Sequence, residues 1–306
     1  MLPCFLLPEE GILFMHHEPV MLNEVLALME NHSHSKILDG TLGLGGYSEG
    51  ILKRFQSSQV LGIDRDSEAV KFSCQRLSEY SQRFTALLKN FGAVSELDDV
   101  ASYDVFVFDL GVSNMQITIP ERGFSFNIDG PLDMRMNPDD DSCPSAADVL
   151  RDSDAETLTE IFRNYGEERY AKQIASAIKR SPVPITTTYG LVELIRKALP
   201  QPVQRKMGTH PARRIFQALR IYVNNEAGEL ESLLKSLPEV NRTALVIFVS
   251  YHSLEDRMVK HSFRQWQNEG FGKIITRHPI TPSEDEISRN YKARSAKLRA
   301  FSLSMN

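Results

Sequence analysis

Cysteine is scarce in this chain: Cys4, Cys74 and Cys143 are the only three in 306 residues, and no CxxC pair occurs among them. That usage signals neither a disulfide framework nor a thiolate metal site, and Cys74 reads most simply as a core or helix residue. Long hydrophobic runs are missing too. The longest apolar stretch near the N-terminus is interrupted by Pro8, Glu9 and Glu10, which leaves it too short and too polar to span a bilayer or to act as a signal peptide. A cytoplasmic location without membrane partners is the resulting expectation. No internal repeat or coiled-coil period is evident, and the scattered histidines, including the adjacent His16 and His17, form no ligand set for a metal.

Positive charge is in deficit as well, with 35 Lys and Arg against 40 Asp and Glu and a net charge of -5. That sign argues against a nucleic-acid partner until the charge is divided along the chain. Between Arg196 and Arg220 lie Arg196, Lys197, Arg205, Lys206, Arg213, Arg214 and Arg220 with no acid, and Arg289, Lys292, Arg294, Lys297 and Arg299 form a second acid-free run. The stretch from Asp139 to Glu156 is acidic. Such segregation permits phosphate binding despite the overall sign, although a basic run is also what a solvated helical face carries.

What is present in strength is apolar periodicity. Hydrophobic residues make up 42% of the chain, enough for one large core or two domains. Lys36 to Asp66 reads as strand, glycine turn, helix, second strand and terminal acid. Gly43, Gly45 and Gly46 stand where the backbone must turn tightly and approach a ligand without a Cβ in the way. Asp64 ends the second strand, about 20 residues beyond the glycines, where a carboxylate can accept from both hydroxyls of a ribose. The spacing Gly-Leu-Gly-Gly is not the dinucleotide fingerprint, and Asp39 just ahead of it would repel a pyrophosphate. A cationic sulfonium such as S-adenosylmethionine is the better candidate, with a dinucleotide and a ligand-free glycine turn as alternatives.

The remaining elements suggest an interrupted α/β domain. Helices are predicted over Glu18 to Met29 and Ser67 to Ser81, a third strand over Phe84 to Leu88, and a fourth over Tyr103 to Asp109. From about Gln116 to Thr209 the chain turns to loops and helices, the latter over Asp154 to Tyr165, Glu167 to Lys179 and Tyr189 to Leu199. A helix from Pro211 to Leu237 precedes the last parallel strand, Ala244 to Val249. Asp109 ends its strand at the carboxyl edge where ligands of open α/β sheets collect, and Gln116 follows it. Asp109 could bind a cofactor amine, accept from an amino substrate, or simply cap a helix.

Residues 17–22 (HEPVML), 39–48 (DGTLGLGGYS), 121–126 (ERGFSF), 130–136 (GPLDMRM), 210–226 (HPARRIFQALRIYVNNE), 249–260 (VSYHSLEDRMVK) and 290–299 (NYKARSAKLR) together resemble the RsmH (MraW) family of bacterial ribosomal RNA methyltransferases. The resemblance runs from His17 to Phe301. It implies a class I S-adenosylmethionine-dependent methyltransferase (Rossmann-like) fold with an inserted, mostly helical domain. The core would occupy 15–115 and 210–306 and the insertion, as a substrate-recognition domain, 116–209; residues 1–14 would be an N-terminal extension of little functional weight. The implied activity is N4-methylation of a cytidine in the decoding centre of 16S rRNA in the small ribosomal subunit, by a monomer or homodimer. Cofactor contacts are implied at Gly45, Gly46, Tyr47, Asp64, Phe91, Asp109 and Gln116. Tyr47 replaces the usual histidine, Asn114-Met115 the usual Ser-Pro, and Tyr251 the usual phenylalanine.

The exocyclic amine of cytosine is a poor nucleophile because its lone pair is delocalised into the ring, so an acceptor must position it as the methyl bond forms. Asp109 is the first candidate for that carboxylate. His252 competes as an acid/base or base-positioning group, with a purely structural role as its alternative, and Asp133 and Arg135 would hold the insertion loop or the target nucleotide. Arg213, Arg214, Lys260, Arg294 and Lys297 are candidate phosphate contacts, and Phe124, Phe126 or Tyr251 a candidate stacking ring for an extruded base. Each ring also has an ordinary packing explanation. A sulfonium leaving group needs neither a metal nor a covalent cysteine. Other amino methyltransferases, acting on DNA or protein, and a noncatalytic ribosome-assembly protein are the rival readings.

Overall fold

The structure is a computed structural model in which residues 19–140 and 142–304 are described. The proposed extension, His16, His17 and the start of the first helix at Glu18 lie outside the described residues. Strands β1 (Lys36–Asp39), β2 (Gln59–Asp64), β3 (Phe84–Leu88), β4 (Val105–Asp109), β5 (Leu245–Ser250), β6 (Gly272–Ile274) and β7 (Lys297–Leu303) form a seven-stranded sheet in the order β3-β2-β1-β4-β5-β7-β6. The first five pair in parallel, whereas β7 runs antiparallel to both β5 and β6. This is the class I methyltransferase form of the Rossmann-like sheet. The longer helices are α1 (Leu22–Met29), α2 (Gly46–Arg54), α3 (Ser67–Arg76), α4 (Ala155–Asn164), α5 (Ala171–Lys179), α6 (Thr188–Ala198), α7 (Arg213–Val223), α8 (Glu226–Val240) and α9 (Ser253–Asn268).

The chain divides into two compact units, one made of the described residues up to Asp64 with Glu68–Met115 and Ser232 onward, the other of Arg65–Ser67 and Gln116–Glu231. In the first, β4 and β5 are continuous apolar runs because central parallel strands are covered on both faces. One face sets Ile37, Val60, Val105, Val107, Leu245 and Ile247 against Val25 and Met29 of α1 and Ile51 and Leu52 of α2. The other is aromatic: Phe108 stacks on Phe248 at 4.8 Å, and Phe263, Trp266 and Phe301 continue the cluster. Burying each such ring is worth about 1.5–3 kcal/mol, so the sheet that carries the glycine turn is rigidly backed.

In the second unit α4 packs on α5 and α7, and α5 on α6. Asp154 caps α4 by accepting from Thr157 N, and Thr187 caps α6 by accepting from Gly190 N. The unit runs to Glu231, beyond the 209 boundary read from sequence, because the apolar stripe of α7 (Ile215, Phe216, Leu219) is buried there. The single helix expected over Pro211 to Leu237 is two. Asn225 adopts a left-handed φ of +50, and Asn224 turns its amide to accept from Met136 N (2.7 Å) and donate to Met134 O (2.7 Å). A polar side chain with better partners off the helix axis ended the helix there. The helix expected over Ser67 to Ser81 likewise stops at Arg76 and continues as a short 3-10 turn over Ser78–Tyr80.

Candidate active site

The loop after β1 is built on a buried acid. Asp39 is fully shielded; its Oδ2 accepts from Ser48 Oγ (2.7 Å) and its Oδ1 from Thr41 N (3.3 Å). Burial nevertheless outweighs these hydrogen bonds, aided by Asp64 nearby, and lifts its pKa to about 6. The chain then crosses the sheet edge, with Gly40 N donating to Val107 O and Leu42 N to Ile63 O. Gly43 follows in a left-handed conformation (φ +50), and its N–H donates to Oδ2 of Asp64 at 2.8 Å. A Cβ built on Gly43 would meet nothing closer than 3.9 Å, so the glycine answers to its backbone angle and leaves open space on that side. Gly45, at φ +78, caps α2, and Gly46 begins it.

Tyr47 is buried in the first turn of α2, where its hydroxyl donates to Val20 O. Its side chain is thus spent on the chain's own backbone, and burial, then Asp109 and Asp39, push its pKa well above the ordinary value. Phe91 opens a 3-10 turn capped by Asn90 and meets Phe108 edge-on at 6.4 Å.

Asp109 is half-buried at the end of β4, its N–H donating to Thr41 Oγ1 at 2.6 Å. Desolvation is the largest influence on its carboxyl and lifts the pKa to about 8, reinforced by Asp39 and Glu255 and opposed by a hydrogen bond from Tyr251. That bond runs from Tyr251 Oη to Asp109 Oδ1 over 2.7 Å. The sequence reading missed this role for Tyr251. The signal lay in the parallel register, which pairs Asp109 with Val249 and carries the chain beyond β5 past the tip of β4.

His252 sits next to it as the N-cap of α9. Nδ1 accepts from Glu255 N at 3.4 Å, and Nε2 lies 3.0 Å from Glu255 Oε1, while Glu255 Oε2 accepts from Tyr251 N at 3.0 Å. Both ring nitrogens are engaged in starting the helix.

The second basic run proves not to be one solvated face. Lys297 and Arg299 lie on β7 and both bind Asp256, at 3.1 Å and 2.7 Å, with Arg299 buried. Lys292 Nζ meets Asn114 Oδ1. Arg294 stays exposed, donating to Tyr291 Oη at 2.8 Å, and Lys260 lies on α9.

Within the second unit Gln116 is buried and donates to Asp66 Oδ2 at 2.9 Å. Arg135 grips the Asp133 carboxylate through Nε (2.8 Å) and Nη2 (2.9 Å). Arg213 and Arg214 are exposed in the first turn of α7, where Arg214 donates to Glu167 O at 3.2 Å. Phe126 stacks on His210 at 4.7 Å, whereas Phe124 is buried.

A model described as the MraW methylase family matches residues 14–304 of this chain. The chain belongs to that family. It is 41% identical over 305 residues to the ribosomal RNA small subunit methyltransferase H of Carboxydothermus hydrogenoformans, covering 93% of this chain and 96% of the relative. The protein of the same name from Pseudothermotoga lettingae is 43% identical over 291 residues, covering 92% and 97%. The cofactor of such a methylase is S-adenosylmethionine, and the MraW-type edge fits it. Gly43 leaves room for a ligand, Asp64 is held by the same turn, and Asp39 and Asp109, once ionised, favour a cation over an anion.

Proposed function

We propose that this chain transfers the methyl group of S-adenosylmethionine to the exocyclic N4 amine of a cytidine in the decoding centre of 16S rRNA. The observation that carries the reading is Asp109: a carboxyl at the carboxyl edge of the sheet, clamped on Oδ1 and on its backbone N–H, beside a glycine turn with open space. Such a group is an acceptor for an amine proton.

Asp64 would hold the ribose hydroxyls, and Gly45, Gly46 and the backbone of Tyr47 would line the amino-acid side of the cofactor, with Phe91 against the adenine. The cofactor supplies the methyl carbon already activated as a sulfonium, the C–S electron pair leaving on sulfur. The chain's own part is to orient the amine and take up charge. As the nitrogen forms its bond to carbon it loses conjugation with the ring and gains acidity, and Asp109 Oδ2 receives its proton. Asp133 with Arg135 stiffens the loop at 131–136.

Arg213, Arg214, Lys260 and Arg294 are the cations we assign to rRNA phosphates; Lys297 contributes less because Asp256 already neutralises it. His252 acts by fixing Tyr251 and α9 rather than as an acid or base. The partner is the small ribosomal subunit, in the cytoplasm. The test is mass-spectrometric mapping of nucleosides after incubating the protein and S-adenosylmethionine with undermodified small subunits. A single N4-methylcytidine in the decoding centre is the expected product, and methylation elsewhere or not at all rejects the reading.

A further inference from the structure

The hydroxyl of Tyr251 has no packing reason to be where it is. Its ring lies against the apolar cluster beneath β5, where a plain phenyl would do, yet the oxygen reaches Oδ1 of Asp109 at 2.7 Å. Both partners of this bond are fixed from behind. The backbone N–H of Asp109 is tied to Thr41 Oγ1, and that of Tyr251 to Glu255 Oε2, in the same group of contacts by which His252 starts α9. The bond therefore joins the tips of two neighbouring parallel strands, in the register that pairs Asp109 with Val249.

We propose that Tyr251 is a positioning residue for methyl transfer: its hydroxyl holds Oδ1 of Asp109, presents Oδ2 alone to the acceptor amine, and favours the ionised, proton-accepting carboxylate. The inference rests on the functional reading above. Among the described residues no group donates to Oδ2, so that oxygen is the one available to a substrate. The direction of the hydrogen bond is fixed by chemistry. Burial and the nearby carboxylates push the tyrosine pKa well above its ordinary value, so the oxygen keeps its proton and donates it. A donated hydrogen bond stabilises the charged carboxylate and opposes the surroundings, which act the other way.

Those surroundings can be named element by element. Asp39 at the end of β1 and Glu255 in the first turn of α9 raise the Asp109 pKa along with burial, and Tyr47 of α2 lies near enough for its own titration to feel Asp109. None of them supplies a positive charge. In this chain the tyrosine hydroxyl is thus the side-chain influence that favours ionised Asp109, and without it the carboxyl would sit protonated further into the alkaline range. A protonated carboxyl cannot take the amine proton, so the loss falls on the chemical step rather than on binding.

The test is Tyr251→Phe, which removes one oxygen and keeps the ring, with melting temperature as the folding control. Two readouts are needed. The first is the 13C titration of the Asp109 carboxyl, assigned by comparison with Asp109→Asn, and it requires no substrate. Loss of one hydrogen bond to a charged group should move that titration upward by about one pH unit. The second is single-turnover methylation of small subunits against pH. The acid limb should move by the same amount, so that the rate at pH 7 falls roughly tenfold, with subunit affinity within about twofold and the two enzymes converging at high pH. In an Asp109→Asn background Tyr251→Phe should change nothing further.

An unchanged carboxyl titration overturns the proposal. So does a rate loss equal at every pH, or one that persists undiminished in the Asp109→Asn background, because each would mean that Tyr251 acts by packing alone. If the parent protein methylates no small-subunit RNA, the functional reading fails, and the carboxyl titration still decides whether Tyr251 favours ionised Asp109.

Discussion

Arg122 Nη2 lies 2.8 Å from Oδ2 of Asp66, and both side chains are shut away from solvent. The same carboxylate oxygen accepts from Gln116 Nε2, and the guanidinium also donates to Met136 O at 2.6 Å. A buried ion pair adds little net stability over a hydrophobic replacement, but removing one partner strands the other without water. Asp66→Ala or Arg122→Ala should each destabilise the second unit by about 3–5 kcal/mol, while a double change to Leu and Met should recover most of that loss. Hydrogen exchange over residues 116–231 reads the effect locally. The sole tryptophan, Trp266, is packed in the first unit and reports that unit separately by fluorescence. Equal shifts in both signals would show that the pair supports the whole chain rather than its own unit.

Asp109→Asn separates stability from chemistry. The folded-state pKa of about 8 lies above the ordinary carboxyl value, so the folded protein binds the extra proton. The stability tied to this group is fully present below about pH 4 and is lost as pH rises through 8. Asparagine has no charge to bury and can still accept from Tyr251. The variant should therefore melt at nearly the same temperature as the parent below about pH 4 and at a clearly higher one at about pH 9, while methyl transfer falls by about 10²–10⁴-fold. A variant equally stable at both pH values would mean that the carboxyl is not held in a desolvated site.

Asp39 and Asp109, with pKa values of about 6 and about 8, make a cation the favoured ligand as they ionise. Affinity for S-adenosylmethionine should rise between pH 6 and pH 9, since binding a cation to the ionised carboxylates displaces protons. S-adenosylhomocysteine carries the same adenosine and amino acid without the sulfonium charge. The ratio of the two affinities, taken by calorimetry at each pH, should grow across that range by up to about a hundredfold, because the ionised fraction of Asp109 climbs about tenfold per pH unit up to its pKa of about 8. A flat ratio would mean that neither carboxyl senses the sulfonium.

The sheet was legible because its parallel strands are short apolar runs ending in acids: Lys36 to Asp39, Val60 to Asp64 and Val105 to Asp109 need no tertiary information to be recognised. β6 and β7 were not read. Their residues carry Lys273, Lys297 and Arg299, and Arg299 is buried only because Asp256, from another element, neutralises it. A single sequence cannot pair those charges. The same holds for the hydrogen bond of Gln116 to Asp66 and for the place of His252 in a helix cap. Residue type gave the chemistry available at each position, whereas only the register of β4 against β5 brought Tyr251 to Asp109.

Gly43 and Gly208 allow strain to be separated from occupancy. Both have left-handed backbones, φ +50 and +63, and a Cβ on either meets nothing within 3.9 Å. Alanine at each should cost the same conformational penalty, about 1–2 kcal/mol, with no steric clash to add. In Gly43→Ala the N–H still reaches Asp64, so the ligand-free protein should be only modestly weakened. If the open side of Gly43 is where the cofactor lies, the new methyl group occupies its space, and affinity for S-adenosylhomocysteine should fall by more than about tenfold, as for an overpacked contact of 1–3 kcal/mol. Gly208→Ala should lose stability alike and leave that affinity unchanged. Equal affinities in the two variants would place the cofactor away from Gly43, because strain is matched between them and only the neighbourhood differs.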